Sequence, residues 1–248
     1  MQTAEKLRGR LDLAGDAERV MAAVMAGGVA LIPGDVGYGV VARSPAALVR
    51  IFETKKRTVN KRHGMLGSYE HHREIHRVDA RAREIIDTIA LDYELPLSIV
   101  APYDPDNRFT RQLDEDTLRG STVNGTVAVV VNQGAFYGVL GRLAHAAGVT
   151  LLGSSANLSG TGIKSKVEDI EPEIIELADV IIDHGLARYH FYRRASTLIN
   201  FETMQIIRTG ACYEIIADIL QRRFGIEVPQ DPGFDVLPSG ILWEAPAI

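Results

Sequence analysis

The sequence predicts an α/β (α+β) fold, a mixed sheet flanked by helices. Three observations predict it. Short apolar, β-branched runs alternate with stretches of helical spacing along most of the chain. Glycine- or hydroxyl-rich loops follow two of those runs directly, as at "VALIPGDVGYG" and "VTLLGSSANLSG". The length of 248 residues with 46% apolar content is enough to bury one sizeable core.

In order, Asp16 reads as the N-cap of "AERVMAAVMAGG", which Gly27-Gly28 ends. "VALIP" is a short strand, and the three glycines of "GDVGYG" allow a sharp turn behind it. Ser44-Pro45 starts a helix through "AALVRIFETKK", with Leu48, Ile51 and Phe52 on one face. "ARAREIIDTIALDY" follows as helix, "PLSIVAPY" as strand, "TVAVVVN" as buried strand and "FYGVLGRLAHAAG" as helix. "VTLLGSS" is a strand, "VEDIEPEIIELA" a helix and "DVIIDHG" a short strand, while "STLINF" and "MQIIRTG" read as a hairpin-like pair. The Pro- and Gly-rich end reads as a tail, giving one domain over 1–224 and a C-terminal tail over 225–248.

The formal net charge of -5 argues against a general nucleic-acid coat but leaves room for a local basic groove. No run reaches the roughly 18 apolar residues of a membrane span, and "MQTAEKLRGRLDLAGD" lacks the apolar core of a signal peptide. A cytoplasmic protein with no membrane partner is expected. The single cysteine, Cys212, has no disulfide partner within the chain and reads as a buried thiol.

Against that acidic background, "ETKKRTVNKRHG" packs Lys55, Lys56, Arg57, Lys61 and Arg62 into eight positions. Lys55, Arg57 and Lys61 have K-x-R-x-x-x-K spacing across a helix end and the next loop, which suits a triphosphate, although on composition alone a solvated basic face is the commoner reading of such a charge run. "GSSANLSG" offers Ser154, Ser155, Asn157 and Ser159 after a strand, donors for phosphate or ribose oxygens, or an ordinary turn. "IIRTG" puts Arg208 beyond a strand, as a phosphate clamp or a surface ion-pair partner.

Together and in this order, "GGVALIPGDVGYGVVA", K-x-R-x-x-x-K, "TVAVVV", "SSANLSG", "STLI" and "IIRTG" resemble the YrdC-type family of threonylcarbamoyl-adenylate synthases, from about Ala17 to Gly210. The resemblance implies a YrdC-like fold, a twisted sheet with a basic concave face. It also implies an enzyme of tRNA modification that joins bicarbonate, L-threonine and ATP into threonylcarbamoyl-AMP with release of pyrophosphate, Mg²⁺ being held by the nucleotide. It carries catalytic positions onto Lys55, Arg57 and Lys61, and ATP contacts onto those three with Thr126, Ser155, Asn157 and Arg208. Gly34, Val130, Gly153 and Ser196 fall on the acceptor side.

Departures from the family pattern concentrate on that side. Gly34 stands where the family has threonine, Val130 where it has arginine, and "YELPLSIV" lacks the usual Gly-Pro-x-Thr. An acceptor other than L-threonine, a small amine or another amino acid, is therefore expected unless a cation such as Arg142 or Arg62 replaces the arginine. Two other readings remain at this level: a module that holds double-stranded RNA or a nucleotide without turnover, and an enzyme making carbamoyl-AMP from carbamoyl phosphate. A metal hydrolase fits poorly. His63, His71, His72 and His76 cluster, but the Glu of H-E-x-x-H is absent, and "EHHREIH" reads as a solvated helix face. Asp183 and His184 lack a nucleophile in a recognisable elbow.

Overall fold

The computed structural model describes residues 9–56 and 62–233. Helix α1 (Leu13–Met25) begins one turn earlier than Asp16 predicts, because the Asp12 carboxylate accepts from the Gly15 N–H at 3.0 Å and caps the helix. Asp16 lies in the first turn and bonds Arg19 and His184 instead. Val20 and Val24 of α1 are buried, each stabilising by about 1.5–3 kcal/mol. Strands β1 (Ala30–Ile32) and β2 (Gly39–Ala42) follow. Ser44 caps α2 (Pro45–Thr54), its Oγ accepting from the Ala47 N–H at 3.2 Å.

Next come β3 (Gly64–Leu66), α3 (Tyr69–Ile75) and α4 (Ala80–Asp87), which runs into a π turn at Thr88–Asp92. Beyond them lie β4 (Leu97–Pro102), α5 (Glu115–Ser121), β5 (Thr122–Val123), β6 (Thr126–Val131), α6 (Ala135–Ala146) and β7 (Leu151–Ser155). The last are α7 (Pro172–Leu177), β8 (Val180–Ile181), β9 (Thr197–Asn200), β10 (Gln205–Arg208) and α8 (Tyr213–Phe224). "VEDIEPEIIELA" is thus split, with Pro172 opening a new helix after a 3-10 turn at Val167–Asp169.

The described strands form one mixed ten-stranded sheet in the order β10-β9-β4-β6-β3-β7-β2-β1-β8, with β5 hairpinned onto β6. β1/β8, β3/β6 and β4/β9 are parallel pairs. Alternate strand residues enter opposite cores. Leu31, Val40, Met65 and Val129 pack with α2, α4, α7 and α8, whereas Ala30, Ile32, Val41 and Leu66 pack with α1 and α6. On this second face the sheet continues past α1 and α6 into a small cluster, Val100, Val123, Ala128 and Leu198, with no helical residue in it.

The histidine stretch is a correction. His71 and His72 are 0% exposed and His76 is 4% exposed, because α3 packs between β6 and α6. Only Arg73 and Glu74 of that helix turn outward at its C-terminal end. Cys212 is buried. Past α8, Ile226 and Val228 pack on the core, Tyr213 donates to the Pro229 carbonyl, and the buried Arg194 pairs with Asp231 at 2.7 Å. No helix among the described residues is long and apolar enough to cross a membrane.

Candidate active site

A cavity of about 140 Å³ lies on the second sheet face, between its helix-covered and bare parts. Ile32, Val41, Leu66 and Val130 form its apolar wall, and Ser154, Ser155, Ser98, Ser196 and Arg208 bring polar groups. Gly153 faces Gly64 across the β3/β7 ladder. A Cβ there would sit 2.2 Å from the Val40 carbonyl oxygen, so only glycine lets β2 and β7 close at this point. Gly34 is similarly tight, 2.9 Å from the Gly37 carbonyl oxygen.

Arg208 reaches the cavity from the end of β10, where a bulge between Ile206 and Arg208 re-aims the strand. Its Nε and Nη2 donate to the Ser196 carbonyl at 3.1 and 2.7 Å. No described residue accepts from Nη1. Desolvation lowers its pKa to about 10, so the guanidinium stays charged at neutral pH. No carboxylate among the described residues pairs with it, and no other charged side chain lines the cavity. A desolvated cation without a counter-charge is a site for an anion.

The loop after β7 is held from behind. Lys55, the buried C-cap of α2, donates its ammonium to the carbonyls of Ser155 and Asn157. The Ser159 N–H returns a bond to the Lys55 carbonyl at 3.2 Å. Lys55 therefore shapes the loop. Ser154 and Ser155 both line the cavity, but alternation along β7 puts Ser154 on the face of its partner Val40, so it is the Ser155 side chain that lies on the cavity's face. Asn157 lies next in the loop, its Nδ2 on the Leu158 carbonyl and its buried Oδ1 without a partner among the described residues. Arg57 and Lys61 lie outside the described residues.

Of the acceptor-side positions, Gly34, Val130, Gly153 and Ser196 all line the cavity. Thr126 does not. It sits at the opposite end of β6, about 13 Å from Val130 along the strand, and its hydroxyl donates to the Val123 carbonyl at 2.8 Å. Arg62 lines a separate groove with Arg119 and Tyr103, and Arg142 does not line the cavity, so neither stands in for an arginine at Val130. Among the polar lining residues, Ser98, Gln133, Tyr137 and Tyr38 were not picked out from the sequence. Ser98 bonds the Ser196 hydroxyl at 2.6 Å, and only its being the one polar residue in an apolar strand marked it. Asp183 and His184 form no dyad, since Asp183 accepts from Tyr38 and His184 pairs with Asp16 at 2.8 Å.

No group of three or more His, Cys, Asp or Glu among the described residues is placed to hold a metal. The family model Sua5_yciO_yrdC, described as Telomere recombination, matches residues 22–210. No curated protein gives a significant match. Among solved structures, P. abyssi Sua5 complexed with L-threonine is similar with a TM-score of 0.66 at 20% identity, over 90% of this chain and 61% of that one. This chain thus spans less than two thirds of that relative's length. A hypothetical protein, smu.1377c from Streptococcus mutans UA159, gives 0.67 at 18% identity, over 85% and 93% of the two chains. Full-length HypF in a phosphate- and nucleotide-bound form gives 0.59 at 16% identity, over 79% and 29%. These identities establish a shared fold, the mixed α/β sheet expected from the sequence.

Proposed function

We propose, because this chain belongs to the Sua5/YciO/YrdC family, that it is an ATP-dependent carbamoyl-adenylate synthase. The observation that carries the reading is Arg208, a charged guanidinium without a carboxylate partner among the described residues, lining the same cavity as Ser155. In the proposed reaction an amine nitrogen bonds the carbon of bicarbonate and water leaves, giving a carbamate. A carbamate oxygen then bonds the α-phosphorus of ATP while the bond to the β-phosphate oxygen breaks, its electron pair leaving with pyrophosphate. Charge grows on phosphoryl oxygens, so positioned cations and donors supply most of the catalysis.

Arg208 Nη1 and the Ser155 hydroxyl take those oxygens, and Lys55 and Asn157 hold the loop that presents the serine. Arg57 and Lys61 supply further charge to the triphosphate, whose Mg²⁺ arrives with the nucleotide. The acceptor lies toward Gly34, Val130, Gly153 and Ser196. A role in tRNA modification follows if the product is passed to RNA.

The test is incubation with radiolabelled ATP, bicarbonate and a panel of amines and amino acids. Acceptor-dependent AMP and pyrophosphate are expected. Dependence on carbamoyl phosphate in place of bicarbonate would replace the reading with carbamoyl transfer, and no AMP under any condition would overturn it.

A further inference from the structure

The chain beyond α8 is tied down at three points. Ile226 and Val228 turn back onto the core, and the Tyr213 hydroxyl donates to the Pro229 carbonyl. The third hold is Arg194, which is 3% exposed. Its Nη1 lies 2.7 Å from both oxygens of Asp231, and its Nη2 donates to the Gly233 carbonyl. The Gly233 N–H closes the turn by donating to Asp231 Oδ1 at 3.0 Å. A guanidinium that meets a carboxylate through one nitrogen and a carbonyl through another is fixed in direction as well as in distance.

This hold sets how the chain enters the cavity wall. Arg194 is followed directly by Ala195 and Ser196, which both line the cavity. It is preceded by Arg193, left-handed at the end of a 3-10 turn over His190–Tyr192 in which Phe191 is 57% exposed. Arg194 is therefore where an exposed turn becomes a fixed wall. Downstream the wall is held by the stretch after β10: the Ala211 N–H donates to the Ala195 carbonyl at 2.8 Å, Ser196 pairs with Ala211 in a parallel bridge, and the Gly210 N–H donates to the Thr197 hydroxyl at 3.1 Å. Between these contacts the Ser196 carbonyl takes Nε and Nη2 of Arg208. One arginine anchors the upstream end of this short segment, and a second is oriented by its carbonyl. A buried guanidinium that loses its carboxylate is strongly destabilised and is driven toward water, which would pull Ala195 and Ser196 with it.

We infer that Arg194 and Asp231 are positioning residues of the anion site: residues 225–233 form a strap that lines no part of the cavity, yet holds the Ser196 carbonyl where it orients Arg208 for a polyphosphate. The inference rests on the proposed function for the identity of the anion, whereas the coupling is a property of the fold. By linkage the anion must hold the strap in place by the same factor by which the strap tightens the anion.

Two measurements on the full chain test it, each with a non-hydrolysable ATP analogue and with inorganic pyrophosphate as probes. The Asp231 side chain is 37% exposed, so Asp231→Ala opens no cavity in the core. Calorimetry should show both probes bound about tenfold more weakly by that variant, with Asp231→Glu recovering most of the loss. In an Arg208→Ala background the same change should cost less than about twofold, because the strap acts through Arg208, whereas a merely structural effect would persist there. On the native protein, either probe should slow amide exchange over residues 226–233 by up to about tenfold, a readout that stands even if the variants misfold. Full affinity in Asp231→Ala, an equal loss with and without Arg208, or strap exchange indifferent to a bound probe overturns the inference. Pyrophosphate bound without the ATP analogue would sink the synthase reading, and the coupling is then decided with pyrophosphate. Binding of neither probe removes the anion site and the inference with it.

Discussion

Arg208 keeps its charge at neutral pH although desolvation lowers it to about 10, a margin of about three units. Its geometry divides the fork in two, Nε and Nη2 fixed by Ser196 and Nη1 without an acceptor among the described residues. Arg208→Ala should weaken binding of a non-hydrolysable ATP analogue by about ten- to a hundredfold, the range of one charge-assisted hydrogen bond. Arg208→Lys should recover little, because a single ammonium cannot hold the Ser196 carbonyl and a phosphate in the same planar arrangement. Calorimetry decides it, and unchanged affinity in the alanine variant would remove the anion from this position. The residue was legible in the sequence because it follows a strand in "IIRTG". Gln133 and Tyr137 were not, since which residue beyond β6 or on α6 reaches the cavity depends on how that helix packs against α1. Thr126 matched the family pattern in sequence, yet its hydroxyl closes the β5/β6 turn.

At the level of elements, apolar runs long enough to cross the core were readable, as β4, β6 and β7 show. β3 was not, being three residues beside a cationic stretch, and β2 reads as the continuation of a glycine loop. Helix α8 carries Tyr213, Ile216, Ile219 and Leu220 on its buried side, but it opens on Cys212 in a left-handed conformation with no side-chain cap, so no start signal precedes it. The misplaced start of α1 has the same origin: two aspartates four residues apart both suit a cap, and only the Gly15 bond singles out Asp12. At the contact between α2 and the loop after β7, an element boundary bears on the candidate site. Removing the Lys55 ammonium in Lys55→Ala leaves the Ser155 and Asn157 carbonyls short of a shared donor. Faster amide exchange across residues 155–158 and weaker binding of the ATP analogue are expected together. The exposed Lys56, changed to alanine, should alter neither. Exchange unchanged in Lys55→Ala would mean that the loop is held by other contacts.

For the whole molecule, the buried histidines couple stability to pH. His76 Nε2 lies 3.1 Å from the Val127 carbonyl and so carries the proton, which makes its Nδ1 the acceptor for His72 Nδ1 at 2.9 Å. A further proton would have to go to His72 Nε2, which is buried without a partner among the described residues. Desolvation, with repulsion from His76, lowers His72 to about 2; desolvation lowers His76 to about 4, and desolvation with His145 lowers His71 to about 4. All three ordinarily titrate near 6.5. Below that value the unfolded chain takes up protons that the folded chain refuses, so stability is full above about pH 6.5 and falls as pH falls toward the folded values. Each histidine should cost about 1 kcal/mol between pH 6.5 and 5.5. The carboxylates act lower. Glu171, which burial would raise but bonds from Thr161 and Lys164 bring down to about 2, loses its contribution only below its ordinary 4.5. Urea unfolding across pH 7.5 to 5.5 therefore isolates the histidines, and a fall of about 2–3 kcal/mol over the last unit is expected. His72→Gln with His76→Gln should lower stability at pH 7.5 yet flatten the slope, because the polar amide packs worse but takes up no proton. A flat profile in the native protein, or an unchanged slope in the double variant, would show that these rings do not set the acid limit of the fold.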